Sequence, residues 1–258
     1  MARINYIVFV VLAIAGTNWY HIVLKPCAQS LQRKYADVID TGFVTLGDGC
    51  YHVFIDAGSN RGVHGRFLFE PEKYPLSFFA GRLKDLFGLN RTLQNICVFA
   101  FEPNPKHMGS QSITESSYRR MGWRYHYLPF GLSDEDGNLT FYRNPVLNCG
   151  GHCEEWGFSI VAASASNESE AVVVNVLNLS SWVQRNILKR KIPFRNSFNS
   201  LSPSLVMKMD IEGSEYKVLT SLLESGVSHD FDHILGEFHS KHNHIRIEGI
   251  VDLENNQS

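Results

Sequence analysis

The sequence is short of cysteine, with 5 in 258 residues, which excludes a scaffold built on disulfides. It carries no surplus of basic charge. The 24 Lys and Arg stand against 26 Asp and Glu, for a net charge of -2. Without a basic footprint, nucleic acid is not the expected partner. There is no internal repeat and no low-complexity block, so the chain is no repeat array. Charged residues reach only 19% while hydrophobic residues reach 44%, which is too apolar for a disordered chain. A chain this long buries a core without staples, and one domain with a tail is expected.

Long apolar runs are also scarce, with one exception. Ile4 to Leu24 is mostly apolar and is bounded by Arg3 and Lys25. About 20 residues at helical rise span a bilayer core. Gly16, Thr17, Asn18 and His21 dilute its second half. The run reads as an uncleaved signal anchor. It reads almost as well as a cleaved signal peptide, with Ala13-Ile14-Ala15 as the small-residue cleavage site. A buried hydrophobic helix is the third reading. Its flanking charges are too balanced to set an orientation. Four Asn-x-Ser/Thr sequons, at Asn90, Asn138, Asn167 and Asn178, point with it to the secretory lumen. Cys149 and Cys153 could close a small disulfide loop there, or bind metal with His152. No second ligand pair has zinc spacing, so disulfide or free thiols are expected and no metal site is. Cys97 lies in an apolar run and reads as a small core residue. Cys27 flanks the N-terminal run and stays open among lipidation, pairing between chains and no role.

Short apolar runs ending in acids recur through the rest of the chain. They are His52 to Asp56, Ile96 to Phe101 before Glu102, Tyr125 to Leu132 before Ser133-Asp134, and Leu205 to Met209 before Asp210. His233 to Phe238 is another, ending in His239. Each reads as a buried strand. Leu139 to Tyr142 and Ala171 to Leu177 read as β pieces around the cysteine loop. Helices are expected over the aromatic-rich Pro71 to Phe87, from the capping box Ser181 to Gln184, and over Gly213 to Ser225 with Gly226 as its stop. Strands alternating with helices predict an α/β fold with a mostly parallel sheet. Its strand-end acids then share one crevice, where open α/β sheets hold ligands.

Asp56-Ala-Gly58-Ser59-Asn60-Arg-Gly62 follows the first of these strands. Gly58 lets the backbone pass close to a ligand. A nicotinamide-type fingerprint needs Gly-x-Gly-x-x-Gly for a pyrophosphate. Here the glycines are spaced Gly-x-x-x-Gly behind an acid, which is poor for phosphate. It suits a cationic or amine-bearing ligand such as S-adenosylmethionine. Glu102 can accept two ribose hydroxyls. A glycine-rich turn with no ligand is the plain alternative for this loop taken alone.

Five segments occur in order: Phe54 to Gly62, Phe101 to Pro105, Gly131 to Tyr142, Met207 to Leu219, and Gly236-Glu-Phe-His239. Together they resemble the FkbM family of S-adenosylmethionine-dependent methyltransferases over about residues 50–240. The resemblance implies an α/β, class I methyltransferase (Rossmann-like) fold, with a mostly parallel sheet and flanking helices. It also implies O-methylation of a hydroxyl on a sugar or natural product. With the N-terminal run, the expected division is 1–24 (signal anchor or signal peptide), 25–50 (a juxtamembrane lead-in) and 51–258 (the methyltransferase domain). Asp56, Gly58, Ser59 and Asn60 then match the cofactor loop, Glu102 the ribose-binding acid, and Ser133 and Asp134 the adenine side. Asp210, Glu212 and His239 are the candidates for the base that takes the acceptor proton. His242 and His244 read as part of a solvated His-rich tail.

The chain departs from the family pattern in two places. Asn178 stands where the family often has Asp, keeping a capping role without the charge. About 20 residues follow the last motif, so the final strands of the sheet are expected to be abbreviated. The expected setting is the secretory pathway, with the domain luminal and membrane-bound through the N-terminal run if that is uncleaved. The rival readings are a nicotinamide oxidoreductase and a catalytically silent luminal scaffold. Trp123 and Trp156 could stack on a sugar acceptor or simply pack.

Overall fold

Six-residue runs of apolar and β-branched residues build the centre of the fold. In the computed structural model, His52–Ala57 (β3) and Ile96–Phe101 (β4) are strands buried along their whole length. The structure describes residues 7–11, 19–24, 45–88, 93–143, 158–160, 171–193 and 202–237. Ile7–Val11 (β1) and Trp19–Leu24 (β2) precede β3, and Arg124–Leu128 (β5) follows β4. Leu205–Met209 (β10) and His233–Glu237 (β11) complete a seven-stranded sheet of order β1-β2-β11-β10-β3-β4-β5. The strands from β11 to β5 are parallel. This is the Rossmann-like methyltransferase architecture expected.

Helices cover both faces, following the two-residue period of the strands. Val53, Ile55, Phe99, Phe101, Met207 and Met209 pack against Leu179–Val183 (α4) and Glu215–Glu224 (α5). Phe54, Val98, Ala100 and Val206 face the other way, toward Val63–Phe69 (α1), Phe78–Phe87 (α2) and Met108–Arg120 (α3). A smaller four-stranded sheet, of order β6-β9-β7-β8, lies between β5 and β10 in the chain. It is made of Gly131–Ser133 (β6), Gly137–Arg143 (β7), Phe158–Ser159 (β8) and Ala171–Asn178 (β9). It has its own small core of Phe141, Val174 and Val176.

Several expectations change. The N-terminal run contains two strands rather than one helix. β2 pairs antiparallel with β11, and β1 antiparallel with β2. Both are rich in β-branched and aromatic residues, which favour strands. They occupy the sheet edge where abbreviated final strands were expected. Among the described residues, no helix is long and apolar enough to cross a membrane. Pro71 to Phe87 is not one helix. A 3-10 turn at Pro71–Lys73 is separated from α2, which starts after Ser77, whose Oγ accepts from Ala80 N at 3.2 Å. Pro75 disfavours helix at Tyr74. Tyr125 to Leu132 divides at Pro129 into β5 and β6, which belong to different sheets. The helix expected from Ser181 starts earlier, because Asn178 Oδ1 accepts from Ser181 N at 2.8 Å and caps it. The backbone of α4 then widens into a π-helical turn at Gln184–Leu188.

Cys97 is in the core as expected, but it is bonded to Cys50, with the two Cα atoms 5.6 Å apart. Cys149, His152 and Cys153 lie outside the described residues, as do Asn90 and Asn167. Of the other sequons, Asn138 is exposed, while the Asn178 side chain is committed to its cap.

Candidate active site

The chain runs outward from β3 to β4 and β5, then crosses back to β10 and β11. The sheet order therefore reverses between β3 and β10, and the carboxyl ends of these strands open a crevice. Asp56 and Lys208 are direct neighbours across that seam, and Asp210 follows β10.

The glycine loop is pinned from three sides. Gly58 N and Ser59 N both donate to the Phe101 carbonyl, at 3.1 and 2.9 Å. Gly58 has φ +76°, and a Cβ there would lie 1.8 Å from the Asp210 carbonyl oxygen. Only glycine allows β3 and β10 to meet so closely. From α3, fully buried Gln111 donates through Nε2 to Ser59 Oγ at 2.8 Å and to the Asn60 carbonyl at 2.7 Å. The Tyr125 hydroxyl donates to Gln111 Oε1 at 2.6 Å. Asn60 is held at φ 51°, a left-handed conformation that asparagine tolerates.

Glu102 closes the second side. Its carboxylate accepts from Asn60 N at 2.7 Å and from Asn104 N at 2.8 Å, one amide on each oxygen. Each oxygen keeps a lone pair, which suits two adjacent hydroxyls. Burial pushes its pKa up to about 7, against the lowering effect of the two amides and Lys208, while Asp56 pushes it further up.

Asp56 has no exposed surface, and neither of its oxygens accepts a hydrogen bond. Its charge reaches the crevice from beneath the loop. The nearest nitrogens are His64 Nδ1 at 3.4 Å and the ammonium of Lys208, with Nζ at 3.9 Å. Asp210 is partly exposed and lies 3.2 Å from Lys208 Nζ. Asp56 and Asp210 thus share one lysine ammonium, at 3.9 and 3.2 Å, with Glu102 at the neighbouring strand end. The leftover negative charge favours a cationic ligand and disfavours a pyrophosphate. The residues present therefore fit S-adenosylmethionine, with its sulfonium, ammonium and ribose.

Beyond Asp210 the backbone turns sharply. Glu212 adopts φ 53°, an uncommon conformation for a glutamate. Buried Glu215 imposes it, its carboxylate accepting from Ile211 N at 3.1 Å and Gly213 N at 2.9 Å. The Glu212 carbonyl accepts from Ser159 Oγ at 2.6 Å and Ile160 N at 3.3 Å, which seats the smaller sheet on this turn. Ser133 and Asp134 stand at the end of β6, with the Ser133 hydroxyl donating to Asp134 Oδ1 at 2.9 Å. The Asn178 amide donates to the Asp134 carbonyl and ties this end to the α4 cap.

The structure brings Asp56, Gly58, Ser59, Asn60, Glu102, Asp210 and Glu212 to one crevice. His239 lies outside the described residues, as do His242, His244 and Trp156. Trp123 packs: its ring stacks on Phe69 at 5.2 Å. Sequence reasoning gave no role to Gln111 or Lys208. Glu215 and Lys208 were visible only as letters of a motif, and Gln111 had no signal at all.

The Methyltransferase FkbM domain model matches residues 47–254. No curated protein matches the chain. Among solved structures, methyltransferase FkbM from Methylobacillus flagellatus KT, at 2.20 Å resolution, matches with 13% identity and a TM-score of 0.35. The match covers 75% of this chain and 34% of that one, so the chain spans about a third of that protein's length.

Proposed function

The chain belongs to the FkbM methyltransferase family, and from that premise we propose that it uses S-adenosylmethionine to O-methylate a hydroxyl of a glycan or small natural product. The observation that carries this reading is Glu102, a buried carboxylate with one amide fixed on each oxygen beside the glycine loop. Two lone pairs at fixed spacing are a built acceptor for ribose hydroxyls. Bound S-adenosylmethionine supplies an activated methyl group. The protein's part is to hold acceptor and donor in line and to take the acceptor's proton. Glu102 and the glycine loop, with Ser133 and Asp134 on the adenine side, form the cofactor half. Asp210 and Glu212 line the acceptor half. Asp210 lies 3.2 Å from the Lys208 ammonium and can also orient a cation. The proton passes to Asp210, Glu212 or His239.

We place the domain in the secretory lumen. The buried Cys50–Cys97 bond supports that setting, because such bonds persist in oxidising compartments.

The test is calorimetric titration of the whole chain with S-adenosylhomocysteine, followed by radiolabelled methyl transfer to glycans and small alcohols. Micromolar binding that is lost in Glu102→Ala is expected. A folded wild-type chain that does not bind would sink the cofactor reading. Binding without transfer to any hydroxyl would sink the acceptor reading.

A further inference from the structure

Lys208 is a fully enclosed cation for which the proposed reaction has no use. Its side chain is 1% exposed, in the middle of a strand that is otherwise apolar. Lysine is almost never buried without partners, because stripping water from its ammonium costs several kcal/mol. Here the ammonium meets groups on separate parts of the crevice. Nζ donates to the Gly58 carbonyl at 2.7 Å. It lies 3.2 Å from Asp210 Oδ2 and 3.9 Å from Asp56 Oδ1. Its protons can reach the Gly58 carbonyl and Asp210, while Asp56 at 3.9 Å is met by charge alone. Its burial keeps it away from any acceptor hydroxyl, so it is not a proton-transfer group.

We propose that Lys208 is a positioning residue, whose ammonium clamps the glycine loop to the ends of β3 and β10 and balances the charge of Asp56. The inference rests on the cofactor reading above for its effect on binding, but not for its effect on folding. Asp56 depends on this clamp more than Asp210 does. It is fully buried and accepts no hydrogen bond, whereas Asp210 reaches solvent. The other groups facing Asp56 are His64 from α1, Glu102 from the end of β4 and Tyr125 from β5. Glu102, when ionised, opposes a second negative charge there. Without Lys208, an ionised Asp56 would be a buried charge beside only the His64 imidazole. Its cost can be relieved only by taking up a proton, so the loss of stability grows as pH rises.

The experiment compares whole-chain wild type, Lys208→Met and the double variant Lys208→Met/Asp56→Asn. Thermal unfolding without ligand is read at about pH 6 and about pH 9, with S-adenosylhomocysteine titrations at the same values. Lys208→Met is expected to lower Tm more at the higher pH, and the double variant to recover at least half of that loss. S-adenosylhomocysteine binding to Lys208→Met should weaken about tenfold or more, the scale of one misplaced charged contact. If the single variant does not fold but the double variant does, the clamp is upheld. The inference is overturned if the two variants unfold alike, if neither folds, or if the Tm loss is equal at both pH values. Failure of the wild type to bind S-adenosylhomocysteine would remove the cofactor reading, while the unfolding comparison still decides the clamp.

Discussion

Glu102 should make this domain less stable at the pH where it binds its cofactor best. The perturbation is pH itself, with Glu102→Gln as the control. Burial raises the folded pKa to about 7, above the ordinary 4.5. Between these values the folded protein holds a proton that the unfolded chain has released. Stability is therefore full below the ordinary value and is lost as pH rises through about 7. The difference between the two values is worth ~3 kcal/mol. For a domain of this size that is roughly 5–10 °C in Tm. Ribose hydroxyls donate to the ionised carboxylate, so affinity moves the opposite way. The ionised fraction grows from about a tenth at pH 6 to about nine tenths at pH 8, giving roughly tenfold tighter binding. Thermal unfolding of the unliganded chain from about pH 4.5 to about pH 8, and S-adenosylhomocysteine calorimetry from about pH 6 to about pH 8, measure the two slopes. Glu102→Gln stays neutral, so it should flatten both, although its amide cannot serve Asn60 N and Asn104 N together. Wild-type slopes in Glu102→Gln would refute the reasoning.

Two further outcomes follow from the geometry. The Cys50–Cys97 bond closes a separation of 47 residues, so reducing it should cost ~2–4 kcal/mol of unfolding free energy. Denaturant titration with and without reductant measures this, and identical midpoints would count against a formed bond. Glu215→Ala leaves Ile211 N and Gly213 N without their acceptor and frees the Glu212 backbone from its left-handed conformation. A loss of ~2–4 kcal/mol is expected for one buried and one half-buried amide, and a loss below about 0.5 kcal/mol would show that the turn holds its shape without Glu215.

The parallel sheet was legible because β3, β4 and β10 share one pattern, a short apolar run ended by an acid. That pattern located Asp56, Glu102 and Asp210, and the topology brought them together. Lys208 was hidden by the same pattern. In Leu-Val-Met-Lys-Met it looks like a polar interruption, and only the register with Asp56 gives it meaning. Gln111 sits on α3, a polar helix with few buried residues, where nothing in its spacing sets it apart. Apolar content alone could not divide the N-terminal run into β1 and β2, since strands and helices share it. Its β-branched composition was the available signal. The disulfide was missed because its partners are distant in sequence and neither belongs to a recognisable pair.

The smaller sheet leaves the chain after β5 and returns before β10, with a core of its own. Its β8 end touches the turn after β10 at the Glu212 carbonyl. Its other end is rooted in the main fold, because Leu132 of β6 and Leu177 of β9 pack into the main core and Ser133 closes β6. Changes of length are therefore better absorbed between β7 and β9 than at β6. The insertion is a graft with one fixed root.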